Sequence, residues 1–371
     1  MTGTDLLTPD TIGDYPTVDP AAVRDTMEYY AQRNWSDGLP VVPVTESYLQ
    51  EFLARTSRDA DEVLLEMSHL NRRLTVRLAA INAAMAGCLP EYFPVVLAAW
   101  DGINTEPMPR AGIWQSTTGT APFLVVNGPA RNELSINSAG SIFGSGFRAN
   151  ATIGRSIRLT CINVFGLHPH LLDQATQANP SKYMMCIGEN EEASPWAPLH
   201  VDQGFAAGES AVSAFVIRAV MHIEARHTMV PEQLATDLTN SVCRTGALLT
   251  EFNQSLIVLG PEHAHLFANA GWSKDDLRRF ILEHAVVDRD VLRASGKEAL
   301  SRHARWRVPT DHLEAVPDST ASDRVPLLRD LDGVQVMVAG ANNAGVSAVV
   351  DIFGRPGHGR PFSIAKVEEH A

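Results

Sequence analysis

The chain has 371 residues, 45% of them hydrophobic, a formal charge of −13 and a mean hydropathy of −0.06. Such a chain buries an ordinary core. With no lysine- or arginine-rich run to offset its negative charge, it is not built to bind nucleic-acid backbones or anionic membrane surfaces.

Residues 1–20 read as a loose lead-in, rich in Pro, Asp, Thr and Gly. They lack the basic stretch and apolar core of a signal peptide. Residues 21–33 fit a helix, and Asp37-Gly38-Leu39-Pro40 turns the chain into Val41-Val42-Pro43-Val44. Residues 61–87 read as one helix, with Leu64, Leu65, Met67, Leu70, Leu74 and Val76 followed by closely spaced alanines. Residues 78–100 are apolar enough to suggest a membrane span, but Asn82, Pro90, Glu91 and Pro94 interrupt them. They are expected to form two buried segments around a break.

Three short apolar runs each end at a glycine turn: Phe123-Leu124-Val125-Val126, Leu256-Ile257-Val258-Leu259, and Val334-Gln335-Val336-Met337-Val338. They predict buried strands, and residues 234–253, 274–287 and 288–305 predict helices between them. The expected fold is α/β, with a mixed or parallel sheet flanked by helices. Residues 21–309 would form the main catalytic region and residues 310–328 a linker. Residues 329–371, too few for a core of their own, would return as a β-containing segment to the main sheet. Cys88, Cys161, Cys186 and Cys243 lie far apart without CxxC spacing, as in a reduced cytoplasmic protein.

Several constellations could carry chemistry. Arg148 and Arg155, with Asn150 and Thr152 behind the Gly144–Gly146 turn, form a cluster able to clamp a carboxylate or phosphate, or to make ordinary salt bridges. The same segment fits GxGxxA loosely, but no clear strand precedes it and Asp173 is badly spaced, so no NAD fingerprint is read there. Nothing points to haem or zinc.

Gly87-Cys88-Leu89-Pro90-Glu91-Tyr92 forms a rigid corner. Glu91 there is a candidate general base and Tyr92 a candidate acid. Cys88 is either a nucleophile or a small apolar filler. Glu189, Glu191 and Glu192 follow the apolar run Met184-Met185-Cys186-Ile187. They could hold a magnesium ion, supply an acid–base pair, or simply form an acidic turn. Asn127, Thr118 and His263 are candidate substrate contacts. On a helix, His263 and His265 would diverge. No GxSxG and no P-loop is present.

Taken together, Trp35–Pro40 (WSDGLP), Asn82–Tyr92 (NAAMAGCLPEY), Val126–Pro129 (VNGP), Arg148–Arg155 (RANATIGR), Glu189–Trp196 (ENEEASPW) and Gly260–Ala264 (GPEHA) resemble a largely uncharacterised bacterial family. That family looks associated with thiol or selenol proteins named for a Sec/Cys-Gly-Ser-Cys (UGSC) motif. The resemblance implies an enzyme-like protein of specialised metabolism, with a thiol or selenol protein as a partner. Cys88 is not followed by Gly-Ser-Cys, so the motif's thiol chemistry does not carry over with it.

The expected function is that of a lyase or hydratase acting on a small carboxylate- or phosphate-bearing substrate, and a homo-oligomer is compatible with the short C-terminal segment. The alternatives are a thiol-dependent oxidoreductase using Cys88 and a non-catalytic subunit of a thiol or selenol enzyme.

Overall fold

The computed structural model describes residues 19–105, 114–244, 253–295, 324–354 and 359–368. Helix α1 (Pro20–Gln32) is capped by Asp19, and α2 (Glu46–Leu53) by Thr45. The next stretch departs from the expected single helix. Strands β1 (Val63–Met67) and β2 (Arg72–Thr75) pair as an antiparallel hairpin, and only then does α3 (Val76–Ala86) begin. Leu65 and Met67 satisfy strand alternation as well as helical spacing. Asn71 turns the chain at φ 52°, where a helix cannot continue. Glu66 faces Arg73 across the hairpin at 3.0 Å, and Thr75 caps α3.

The apolar 78–100 stretch is broken as expected. α3 ends at Gly87, a 3-10 turn spans Pro90–Tyr92, and α4 (Phe93–Asn104) follows, buried along most of its length. Among the described residues no helix is long and apolar enough to cross a membrane.

The remaining elements build one curled mixed sheet. After β3 (Ala121–Asn127) and the short α5 (Ala130–Glu133) come α6 (Arg148–Asn163), β4 (Cys186–Gly188) and the short α7 (Leu199–Asp202). The 14-residue β5 (Ala211–Glu224) leads into α8 (Pro231–Cys243), β6 (Gln254–Leu259), α9 (Pro261–Asn269) and α10 (Lys274–His284). A small β7–β8 pair (Val286–Asp288, Arg324–Pro326) flanks α11 (Arg289–Ala294) in sequence. β9 (Val334–Val338), β10 (Val346–Ile352) and β11 (Ser363–Lys366) complete the chain.

The strand order is β4-β3-β5-β10-β6-β9, with β11 also on β5. β3 and β4 are parallel, as are β6 and β9, and all other neighbours are antiparallel. The sheet curls until its far ends meet, where Asn190 N–H donates to the Val338 carbonyl at 2.7 Å and Gly340 N–H to Ser138 at 2.9 Å.

All three predicted strands are present, and the C-terminal segment does rejoin the sheet, with β10 near its centre. The expected helix over 274–287 stops at His284 because Val286–Asp288 pairs as a strand. Part of the expected linker, Arg324–Pro326, is that strand's partner. The lead-in up to residue 18, residues 245–252 of one expected helix, residues 296–305 of another and residues 310–323 of the linker lie outside the described residues.

Strand alternation divides the core. Phe123, Phe215, Leu256, Met337, Val350 and Phe362 fill the inside of the curl. The outer face packs on α4 and α6 at one end, with α3 and then α2 stacked behind them, and on α8, α9 and α10 at the other. α6 approaches the chain entering β4 so closely that a Cβ on Gly154 would lie 2.6 Å from the Met185 nitrogen. At an open helical site Gly→Ala gains roughly 1 kcal/mol. Here overpacking of about 1–3 kcal/mol outweighs that gain. Gly154→Ala should therefore lower the urea midpoint, and a neutral or stabilised variant would overturn this packing.

Candidate functional site

The predicted site residues do not gather in one place. Cys88, Tyr92 and Arg148 do meet, at the corner after α3. Arg148 Nε donates to the Gly87 carbonyl at 3.0 Å, and Tyr48 donates its hydroxyl to the Cys88 carbonyl at 3.1 Å. Cys88 is fully buried, and burial pushes its thiol up to about 12 against the opposing pull of the Thr152 hydroxyl, Arg148 and Arg155. It also sits at the C-terminal end of α3, where the helix dipole opposes a thiolate. Burial likewise raises the Tyr92 hydroxyl, with Arg148 opposing.

Glu91, expected in an apolar setting, is instead 45% exposed and pairs with Arg55 at 2.5 Å. A carboxylate needs such an escape to water when its neighbours are apolar.

Arg155, expected to clamp substrate, is a structural tie. Its fork grips both oxygens of Asp37 at 2.8 and 2.9 Å and also reaches the Pro40 carbonyl at 2.8 Å, which fixes the WSDGLP loop on α6. Asn150, expected to orient substrate, exchanges both amide hydrogen bonds with the Asn137 backbone at 2.8 and 3.0 Å. Thr118 is exposed in a turn. His263 is buried against Ser347 at 2.7 Å, and burial lowers its pKa; His265, two residues on along α9, is exposed, as helical geometry requires.

A different set converges where β3 and β4 end side by side. Gly128 follows β3 with φ +80°, and a Cβ there would lie 2.2 Å from the Glu209 carbonyl, so only glycine fits. That turn presents Gly128 N–H to Glu191 Oε1 at 2.7 Å. The same oxygen accepts from Asn127 Nδ2 at 3.0 Å and faces Arg131 Nε at 3.2 Å, an ion pair whose N–H is not aligned for a hydrogen bond. Glu191 Oε2 makes none of these contacts.

Arg131, 2% exposed, turns its Nη1 and Nη2 to Glu192 at 3.1 and 2.8 Å, and Asn132 Nδ2 adds a third donor at 3.1 Å. The Arg131 fork, ahead of Asn132, holds the Glu192 carboxyl down at about 2. Behind them Glu189 is fully buried, and its Oε2 accepts from Asn127 Nδ2 and Leu199 N–H, both at 2.7 Å. Its Oε1 and Asn127 Oδ1 have no partner. Burial raises the Glu189 carboxyl, with Lys274, Asn127 and the Leu199 N–H opposing.

His200, next to Leu199, is also fully buried. Neither ring nitrogen makes a hydrogen bond of good geometry. Burial lowers its pKa, while Glu191 and the nearby carbonyls of Ala206 and Ala207 favour its charged form.

The three carboxylates thus diverge: one is buried, one is held at the β3 turn and one reaches to the surface. They do not form the expected magnesium cage, and among the described residues no group of three or more His, Cys, Asp or Glu is placed to hold a metal ion. Gly128, Pro129, Arg131, Asn132, Glu191 and Glu192 wall a cavity of about 340 Å³. A larger cavity, about 630 Å³, runs past Phe143, Tyr183, Met185, Arg218 and His222, and Asn150 is the one predicted site residue on its wall. Arg218 there is already engaged by Asp351 at 2.8 Å and the Ile352 carbonyl at 3.1 Å. Convergent polar groups favour the smaller cavity as the site. Sequence reasoning missed Arg131, Asn132 and His200. The readable signal for the first two was a cation and an amide directly after a strand-ending Asn-Gly-Pro turn.

Two outcomes follow. Iodoacetamide should leave Cys88 unmodified in the folded protein and label it on denaturation; rapid native labelling would show an activated thiol. Glu192 and Glu189 should also act oppositely on stability. The depressed Glu192 carboxyl contributes stability in full above its ordinary 4.5, and this is lost as pH falls towards about 2. The raised Glu189 carboxyl contributes in full below its ordinary 4.5, and this is lost as pH rises through its folded value. In urea titrations across pH, Glu192→Gln should flatten the acid limb, and Glu189→Gln should gain on the wild type towards neutral pH. A Glu189→Gln variant weaker than wild type at neutral pH would mean that an ionised carboxylate is wanted there.

No known protein family, curated protein or solved structure matches the chain.

Proposed function

We propose that the protein is a small-molecule enzyme of the lyase or hydratase type, acting by acid–base chemistry on a carboxylate- or phosphate-bearing substrate in the cavity at the ends of β3 and β4. One observation carries this reading. Two donors, Gly128 N–H and Asn127 Nδ2, converge on Glu191 Oε1 with the Arg131 guanidinium paired to the same oxygen, while Oε2 takes part in none of these contacts. A carboxylate held rigidly by one oxygen on a cavity wall, with 16% of its side chain exposed, is placed to pass a proton through the other.

Glu191 is the catalytic residue of this reading, and it removes or returns the proton at substrate carbon. Asn127 positions it, because the Asn127 amide bridges Glu191 and Glu189. Burial of Glu189 behind that bridge favours its protonated form, which limits the negative charge next to Glu191. Arg131 offsets the charge that develops beside it. Two carboxyl groups whose surroundings push them apart in acidity, here Glu189 upward and Glu192 downward, are a common mark of acid–base sites.

Incubating the protein in heavy water with a panel of small hydroxy acids and unsaturated acids tests the reading by proton NMR. Solvent deuterium should enter a substrate C–H position with wild type. Glu191→Gln should reduce that rate by about 10²–10⁴-fold while the fold is kept. Full incorporation by Glu191→Gln, or none by wild type across the panel, would overturn it.

A further inference from the structure

We propose that Arg131 and Asn132 form the binding subsite for a substrate carboxylate, and that Glu192 occupies this subsite as a built-in competitor that must swing out before substrate binds. The proposal rests on the reading of this cavity as a small-molecule site, and it narrows the substrate class to carboxylates.

The geometry of the occupant defines the subsite. Glu192 Oε1 takes Arg131 Nη2 at 2.8 Å and Asn132 Nδ2 at 3.1 Å, while Oε2 takes Arg131 Nη1 at 3.1 Å. A planar fork with a third donor at its side matches a planar carboxylate oxygen for oxygen. Phosphate shares the fork chemistry, but the arrangement is already satisfied by a carboxylate.

The two partners differ in how freely they can move. Arg131 is 2% exposed, held at Nε by Glu191 at 3.2 Å and at Nη1 by the Ser138 hydroxyl at 3.4 Å. Glu192 is 60% exposed and lies in a turn, and a surface carboxylate released to water loses little. When the pair opens, the side that leaves is therefore Glu192, and the fork stays in place on the cavity wall.

This exchange also removes an electrostatic objection. Glu133, Glu191 and Glu192 all line the cavity, where among the described residues Arg131 is the one cationic wall residue, so a further anion would be repelled. An incoming carboxylate that displaces an outgoing one leaves the charge count of the site unchanged. The pKa of Glu192 is lowered because the Arg131 fork favours its ionised carboxylate.

Malonate serves as the probe, titrated calorimetrically into the full chain at fixed ionic strength. Removing the competitor raises the fraction of open fork, so Glu192→Ala should bind malonate at least about tenfold more tightly than wild type. Adding Asn132→Ala should reverse most of that gain. Glu192→Gln, which keeps the side-chain volume and weakens its hold, should fall between and covers the case where the alanine variant does not fold.

Equal malonate affinity in wild type and both Glu192 variants would overturn the proposal. So would inorganic phosphate binding as tightly as malonate to the opened fork. The two readings fail separately. A malonate gain without any deuterium transfer keeps the subsite and removes the acid–base reading. Deuterium transfer without a malonate gain does the reverse.

Discussion

A guanidinium buried to 2% exposure is costly unless carboxylates meet it, by several kcal/mol per unpaired ion. Arg131 lies four residues beyond the end of β3, and its partners Glu191 and Glu192 lie just beyond the end of β4. The ion pairs therefore clasp two loops that only the sheet brings together. β3 and β4 run parallel with Val126 opposite Gly188, which sets the two exits side by side. The glycine turn at Gly128 then points its N–H at the same carboxylate. The curl of the sheet adds Asn190, whose backbone reaches Val338 at the end of β9 and whose side chain reaches Gly340 just beyond it. Packing, curl and charge thus converge on the Glu189–Glu192 turn, and a turn so fixed can hold functional side chains to a definite geometry.

Much of the frame is readable from residue pattern alone. The runs ending at Asn127, Leu259 and Val338 are strands because each is a β-branched stretch closed by a glycine or asparagine turn. The break at Pro90 separates two buried helices. What escapes is mostly the antiparallel part of the sheet. β5 runs 14 residues through Arg218 and His222, and those polar residues disguise it as something other than a buried strand. The hairpin at 63–75 escapes for the opposite reason, since its leucines fit two periodicities and only Asn71, in a left-handed conformation, decides between them.

The site was legible by residue type more than by role. Asn127, Glu189 and Glu191 belong together, but the arginine that serves them is Arg131 and not Arg148 or Arg155. The RANATIGR stretch reads as an anion clamp because its arginines follow a flexible turn. In three dimensions Arg155 meets Asp37, 118 residues earlier in the chain, and this long-range partner decides its role. A pair of this burial mainly anchors structure: breaking one partner leaves the other charged and enclosed. Arg131 differs because one of its two partners is exposed and can leave. The same side chain on the same background is thus a tie or a receptor according to the mobility of its carboxylate.

Glu189 completes the argument about charge. Three carboxylates within four residues against one arginine would leave the turn strongly negative, and burial makes that costly. The protein meets this by grading the environments. The Arg131 fork favours the ionised form of Glu192 at the surface, Glu191 is fixed through a single oxygen, and burial favours the protonated form of Glu189 in the interior. The unpartnered Oε1 of Glu189 fits this arrangement, since a protonated carboxyl without an acceptor is far less costly to bury than a bare anion. An acidic turn that looks like a cation site in the sequence becomes, through this gradient, a place where one carboxylate can exchange for another.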